Sequence, residues 1–213
     1  MPELVHYDVS DQVATITLDS PHNRNALSRQ LVTELFEGLE RAAADPDATM
    51  VLIAAEGRVF CSGADLSEAS TDGMEEGARR IVDLQRLILT LDKPVVTRVA
   101  GAVRAGGIGI VAASDIVVAA DDATFALTEV KLGLAAAIIS LTVHARMNPR
   151  AAALTTLGGE VFSGADAATY GLVTTAVPAA DLDDEVARLC ASLVTGAPQG
   201  LRESKRILNR DLV

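Results

Sequence analysis

Three short apolar runs constrain this chain more than any other feature: M-V-L-I-A-A at 50–55, P-V-V-T-R-V at 94–99 and D-I-V-V-A-A at 115–120. Each is short for a helix and nearly unbroken, the pattern of strands buried on both faces. Helical spacing lies between them. Leu31, Leu35, Leu39 and Ala42 precede the first run, and Ala78, Ile81, Leu84, Ile88 and Leu91 separate the first from the second. Such alternation predicts a parallel-rich α/β core. Val5 to Leu18 alternates in two runs around D-V-S-D-Q and reads as a hairpin.

From Ile138 onward the pattern turns mostly helical. Ser28 is placed to cap the first helix and Asp181 a later one, and Pro198 suits a first helical turn. The expected organisation is therefore a core over residues 1–137 and a mostly helical part of the same fold over 138–213. With 49% apolar residues but 3% aromatic, the core must be built from Ala, Val, Leu and Ile.

A formal charge of -11 argues against nucleic acid as a partner, because phosphates need a basic surface. Cys61 and Cys190 lie far apart in sequence and read as reduced thiols of a cytoplasmic protein. The start, M-P-E-L-V-H-Y-D-V, lacks the basic and apolar blocks of a signal peptide. The longest apolar run, 108–120, is broken by Ser114 and Asp115, so no membrane span is expected.

The chemistry turns on V-R-A-G-G-I-G-I-V-A-A-S-D at 103–115. Gly107 to Ala112 fits G-x-G-x-x-A, a weak form of the dinucleotide fingerprint. Against that reading, A-G-A-V-R-A separates the glycines from their strand, and little room remains for a crossover helix before Asp115. A second reading is a tight turn into a buried helix. A third is a helix N-terminus whose unpaired N–H groups stabilise a developing oxyanion, with glycine allowing close approach. The third reading needs a second donor loop, and F-C-S-G-A-D-L at 60–66 is the candidate.

Nucleophilic catalysis by Cys61 or Ser62 finds no support: His6, His22 and His144 sit in no recognisable motif, and no G-x-S-x-G occurs. Nor do the histidines show metal-ligand spacing. Glu129, in A-L-T-E-V-K-L-G, has two readings. It is a surface acid paired with Lys131, or a general acid/base whose proton affinity is raised by an apolar pocket.

Taken together, the motifs resemble the crotonase (enoyl-CoA hydratase/isomerase) family over nearly the whole chain and in order. P-H-N-R-N-A-L-S resembles the coenzyme-A loop, F-C-S-G-A-D-L the first oxyanion loop and G-A-V-R-A-G-G-I-G-I-V-A-A-S-D the second. L-T-E-V-K-L-G resembles the segment with a catalytic glutamate, and F-S-G-A-D-A-A-T-Y-G-L-V-T a later family segment. The resemblance implies an α/β fold of repeated ββα spiral units with a helical C-terminal region, assembled as a homotrimer or hexamer. It implies an acyl-CoA thioester as substrate, with coenzyme A part of that substrate and no separate cofactor or metal. By the same resemblance Ala64 and Gly106 supply the oxyanion N–H groups, and Glu129 is the catalytic glutamate. Asn23, Arg24, Ala26, Asp65 and Leu66 match positions beside the adenine and pantetheine.

Two departures qualify the match. Family hydratases commonly carry a second glutamate three residues after the second oxyanion glycine, and here that position is Gly109. The chain thus resembles a single-glutamate branch that includes bacterial methylglutaconyl-CoA hydratase-like proteins. The chain also stops at I-L-N-R-D-L-V, where family members usually continue into further helices, so either the protein is short here or its sequence continues further. The leading expectation is hydration of a 2-enoyl-CoA. The alternatives are a Δ3,Δ2-enoyl-CoA isomerase and a non-catalytic acyl-CoA-binding protein. The acyl group is left open, its walls falling on the loop after Asp65 and on A-A-A-I-I-S.

Overall fold

The computed structural model describes residues 2–68 and 71–213. It opens with the expected hairpin, β1 (Val5–Ser10) and β2 (Val13–Leu18) pairing antiparallel. Helix α1 (Arg29–Ala44) follows, and Ser28 Oγ caps it by accepting from Leu31 N at 3.2 Å. Its apolar face of Leu31, Leu35, Leu39 and Ala42 is fully buried.

Three units of strand, strand and helix come next. They are β3 (Met50–Ala55), β4 (Val59–Cys61) and α2 (Thr71–Thr90); β5 (Val95–Val99), β6 (Ala102–Arg104) and α3 (Gly106–Ala113); and β7 (Ile116–Ala120), β8 (Thr124–Ala126) and α4 (Ala137–Arg146). The first strand of each unit enters one sheet and the second strand enters another, so the chain winds as a ββα spiral. The remainder comprises α5 (Pro149–Gly158), β9 (Phe162–Ser163), α6 (Gly164–Tyr170), β10 (Thr175–Val177), α7 (Leu182–Leu193) and α8 (Pro198–Asn209). The larger sheet runs β1-β2-β3-β5-β7-β10, parallel apart from the hairpin. The smaller runs β4-β6-β8-β9, with β4, β6 and β8 parallel and β9 antiparallel.

Several details differ from the sequence expectation. The A-G-A-V-R-A segment is not simply a loop, for it holds β6, and V-F-C holds β4. F-A-L-T-E-V-K-L-G is extended only as far as Ala126, and Glu129–Leu132 is a 3-10 turn. Asp181 stands at the N-cap of α7 without a side-chain hydrogen bond there. Asp183, Asp184 and Glu185 occupy that helix's first turn, where acids favour the helix dipole. The helical segment after residue 137 also returns two strands, β9 and β10, one to each sheet.

Helix α3 is the hub. All of its residues are buried, from Gly106 to Ala113. Its C-terminal end is clamped by Arg146, whose Nε donates to Ala112 O at 3.0 Å. A largely buried pair beside it, Lys205 Nζ to Asp115 Oδ2 at 2.8 Å, ties α8 to the segment leaving α3. Lys205 Nζ also donates to Ile88 O and Lys93 O, and Asn209 Nδ2 donates to Asp115 Oδ1, so every charged atom of the pair is satisfied. Among the described residues no helix is long and apolar enough to cross a membrane.

Candidate active site

Strands β4, β6 and β8 are parallel neighbours, so their C-terminal ends share one edge of the smaller sheet. Each end delivers one of the segments singled out above. Gly63 and Ala64 follow β4, Ala105 and Gly106 follow β6, and Glu129 follows β8. Ligand sites of parallel sheets favour this edge, since loops of independent sequence converge on it.

The first loop is stitched to the 20–28 segment. Leu27 N donates to Gly63 O at 2.8 Å, and Leu27 bridges Ala64 in parallel register. In such a bridge the residues before and after Ala64 face Leu27, so Ala64's own N–H turns away from it toward the open side. Ser62 N donates to Arg24 O at 3.1 Å, and Asn23 Nδ2 donates to Asp65 Oδ2 at 3.2 Å. Asn23 Oδ1 accepts from Ser20 Oγ at 2.7 Å and Ala26 N at 3.3 Å. Arg24 and Asn25 take positive φ, and Asn25 is buried with Nδ2 donating to Glu56 O and Val59 O. The Ser67 hydroxyl and backbone N–H, helped by Asn23, hold the Asp65 carboxyl below its ordinary range. Arg24 is exposed and Ala26 is buried. The Leu66 side chain, and Ala69 and Ser70 of the loop after Asp65, lie outside the described residues.

The second loop is packed rather than stitched. Gly106 begins α3, where the first N–H groups lack intrahelical partners, and Ala105 supplies no side-chain cap. A Cβ at Gly106 would lie 2.9 Å from Leu27 Cδ1 and 3.4 Å from Ile81 Cδ1. One at Gly63, which holds φ at +92°, would lie 2.8 Å from Ala105 Cβ. The two loops therefore abut at Gly63 and Ala105, each the residue immediately before a sequence-predicted donor. Leu27 and Ile81, which sequence reasoning missed, flank Gly106. Helical spacing marked Ile81 only as core, and Leu27 entered only as part of P-H-N-R-N-A-L-S.

The glycines at 107 and 109 turn inward. A Cβ at Gly107 would lie 2.7 Å from Cys61 Cβ, and one at Gly109 would lie 2.6 Å from Ile139 Cγ2 and 3.0 Å from Gln85 Cδ. This packing, more than the length of the preceding loop, removes the dinucleotide reading: phosphate has no room against these positions. Cys61 is wholly buried, and desolvation pushes its thiol up to about 12, which leaves it inert as a nucleophile.

Glu129 stands apart. It is half-buried, its Oε2 is buried without a hydrogen-bond partner, and desolvation raises its proton affinity. Among the described residues it makes no ion pair, with Lys131 or any other base, so the surface-pair reading fails. No group of three or more His, Cys, Asp and Glu is placed to hold a metal among the described residues.

A ββα spiral that gathers the two glycine-bearing loops and an unpaired acid at one sheet edge agrees with the resemblance to the crotonase class. The family model for enoyl-CoA hydratase/isomerase matches residues 8–213. A Thermus thermophilus relative, provisionally named an enoyl-CoA hydratase, is 34% identical over 92% of this chain and 80% of its own length. The solved structure of an enoyl-CoA hydratase from Mycobacterium avium superposes with a TM-score of 0.92 at 42% identity, over 100% of this chain and 84% of that one. A provisionally named enoyl-CoA hydratase from Mycobacterium avium paratuberculosis gives 0.93 at 44% identity, over 98% and 83%. The chain belongs to the enoyl-CoA hydratase/isomerase family.

Proposed function

We propose that the protein hydrates a 2-enoyl-CoA thioester, with Glu129 as its single proton carrier. The observation that carries this reading is the buried, unpartnered Glu129 oxygen on the turn after β8, the strand beside the one feeding Gly106. The Glu129 carboxylate takes a proton from water as the water oxygen bonds to the β-carbon. The double-bond electrons move onto the thioester oxygen, forming an enolate. The N–H groups of Ala64 and Gly106 hold that oxygen, and such a donor contributes about 3 kcal/mol of transition-state stabilisation. Collapse of the enolate takes the proton from Glu129 to the α-carbon and completes the addition. Asn23, Arg24, Ala26, Asp65 and Leu66 border the coenzyme.

A second reading, Δ3,Δ2-isomerisation, is favoured by one observation: Ile139 and Gln85 fill the direction a water-holding side chain at 109 would take. It too needs only one base. Glu129→Gln separates catalysis from binding. Hydration is expected to fall about 10²–10⁴-fold, the usual contribution of a general acid/base, with thioester affinity retained; undiminished turnover would exclude Glu129. Turnover in ¹⁸O-water separates the reactions, since hydration places ¹⁸O in the product and isomerisation does not.

The pH dependence has a definite sign. Because burial raises Glu129's proton affinity, its base form appears at a higher pH than that of an ordinary glutamate. Hydration should climb with pH through that raised value. Stability moves oppositely: the folded state holds this proton more tightly than the unfolded chain, so Glu129's contribution is lost as pH rises through the same window. Glu129→Gln should therefore be more stable than the wild type above the window and equal to it below, as denaturant titrations at several pH values would read.

A further inference from the structure

Gly109 opens a notch in the middle of α3, and what fills it has no part in the chemistry above. A Cβ there would lie 2.6 Å from Ile139 Cγ2, 3.0 Å from Gln85 Cδ and 3.1 Å from Gln85 Oε1. Gln85, from α2, is 4% exposed, yet its amide is fully engaged. Nε2 donates to Ile81 O at 3.0 Å and to Ile138 O at 2.8 Å, and Oε1 accepts from Thr142 Oγ1 at 2.7 Å. We propose that Gln85 is a positioning residue for the reaction: seated in the Gly109 notch, its carboxamide ties α2 to the start of α4 and so fixes the Glu129-bearing turn against the Gly106 loop. This inference rests on the reading of Glu129 as proton carrier.

Both ends of the tie reach the site. On the α2 side, the carbonyl bonded by Gln85 belongs to Ile81, whose side chain packs against the Gly106 position. On the α4 side, the helix starts without a side-chain cap at Ala136, and Gln85 holds two points in its first turns. Three residues before Ala137, Leu134 N donates to Glu129 O at 3.0 Å and closes the Glu129 turn. One buried amide thus spans from the oxyanion wall to the segment that aims the acid. Polar atoms buried this deeply hold position sharply, because an unmade bond there costs far more than it would in water.

Gln85→Leu tests the tie without wrecking the core. The Thr142 hydroxyl is also 3.0 Å from Ile139 O and can turn to it, and the Ile81 and Ile138 carbonyls lie within helices. The kcat is expected to fall about tenfold or more with KM changed less than about twofold, the mark of misplacement rather than lost binding. Amides of 129–142 should exchange hydrogen about tenfold faster while the sheets keep their protection. Gly109→Ala pushes the notch from the other side and should lower kcat likewise, and adding Ile139→Ala should restore most of it. Wild-type kcat and unchanged protection in Gln85→Leu would overturn the proposal. So would equal losses in kcat and KM with protection lost throughout. A wild type that turns over no enoyl-CoA would instead overturn the reading of Glu129, and with it Gln85's catalytic part, while the exchange measurement still decides whether the tie exists.

Discussion

The two proposed donor loops are held by opposite means. The Gly63–Ala64 loop is bound to the 20–28 segment by a set of hydrogen bonds, several of them to backbone. The Gly106 loop relies on fit: Gly107 against Cys61, Gly109 against Gln85 and Ile139, Gly106 against Leu27 and Ile81. A hydrogen-bonded loop loses strength by increments of about 0.5–1.5 kcal/mol, and neighbouring bonds can readjust. A packed glycine admits no increment, since the first added carbon meets atoms already in place. Away from Gly63, whose φ and contact with Ala105 leave no room for a side chain, the stitched loop therefore tolerates substitution better than the packed one.

Gly107→Val is expected to have the largest effect. Its Cβ alone would sit 2.7 Å from Cys61 Cβ and 3.2 Å from the Cys61 carbonyl oxygen, and neither is the end of a flexible side chain. Strain of about 3 kcal/mol or more should appear in denaturant titration. Because α3 must shift its donor end, turnover should fall about 10²-fold. Wild-type stability would show that the second loop yields as readily as the first. Asn23→Ala probes the stitched loop. It removes the bond to Asp65 and the acceptor for Ser20 and Ala26, so a cost of about 1–2 kcal/mol is expected. Its kinetic sign should be a raised KM for the thioester with kcat nearly kept, because the proposed function sets this loop beside the coenzyme rather than the reacting carbons. A kcat loss matching that of Gly107→Val would erase the distinction.

The contrast also explains what the sequence disclosed. The β3, β5 and β7 runs were legible because buried parallel strands need unbroken apolar residues, and α1 because its stripe and Ser28 cap agree. The short strands β4 and β6 were not, for three residues carry too little periodicity to rise above loop composition. At the candidate site, motif order singled out Ala64, Gly106 and Glu129, which the fold carries to one edge of the smaller sheet. The notch partners of Gly109 were not: Gln85 and Ile139 lie 24 and 30 residues away, and only packing brings them to α3. Likewise, nothing local distinguishes a half-buried, unpaired Glu129 from one paired with Lys131.

Ala105→Gly is expected to have the smallest effect and the opposite sign. Ala105 holds φ +46°, ψ −122°, a backbone region that L-residues rarely occupy, directly before Gly106, the proposed donor. Holding a side chain there costs about 1–3 kcal/mol, and the residue persists because packing on both sides fixes it. Its Cβ is also the atom that a side chain at Gly63 would strike, so it marks the seam between the loops. Glycine relieves the strain but adds freedom to the unfolded chain, returning roughly 0.5–1 kcal/mol of the gain. The net should be about 1 kcal/mol of added stability in a denaturant midpoint. Catalysis tells more than stability here. If fit alone holds the second loop, the residues packed at 106, 107 and 109 keep the donor in place and kcat stays near wild type. If kcat falls while stability rises, the Ala105 methyl is itself part of the fit, and the seam with Gly63 sets the spacing of the two donors.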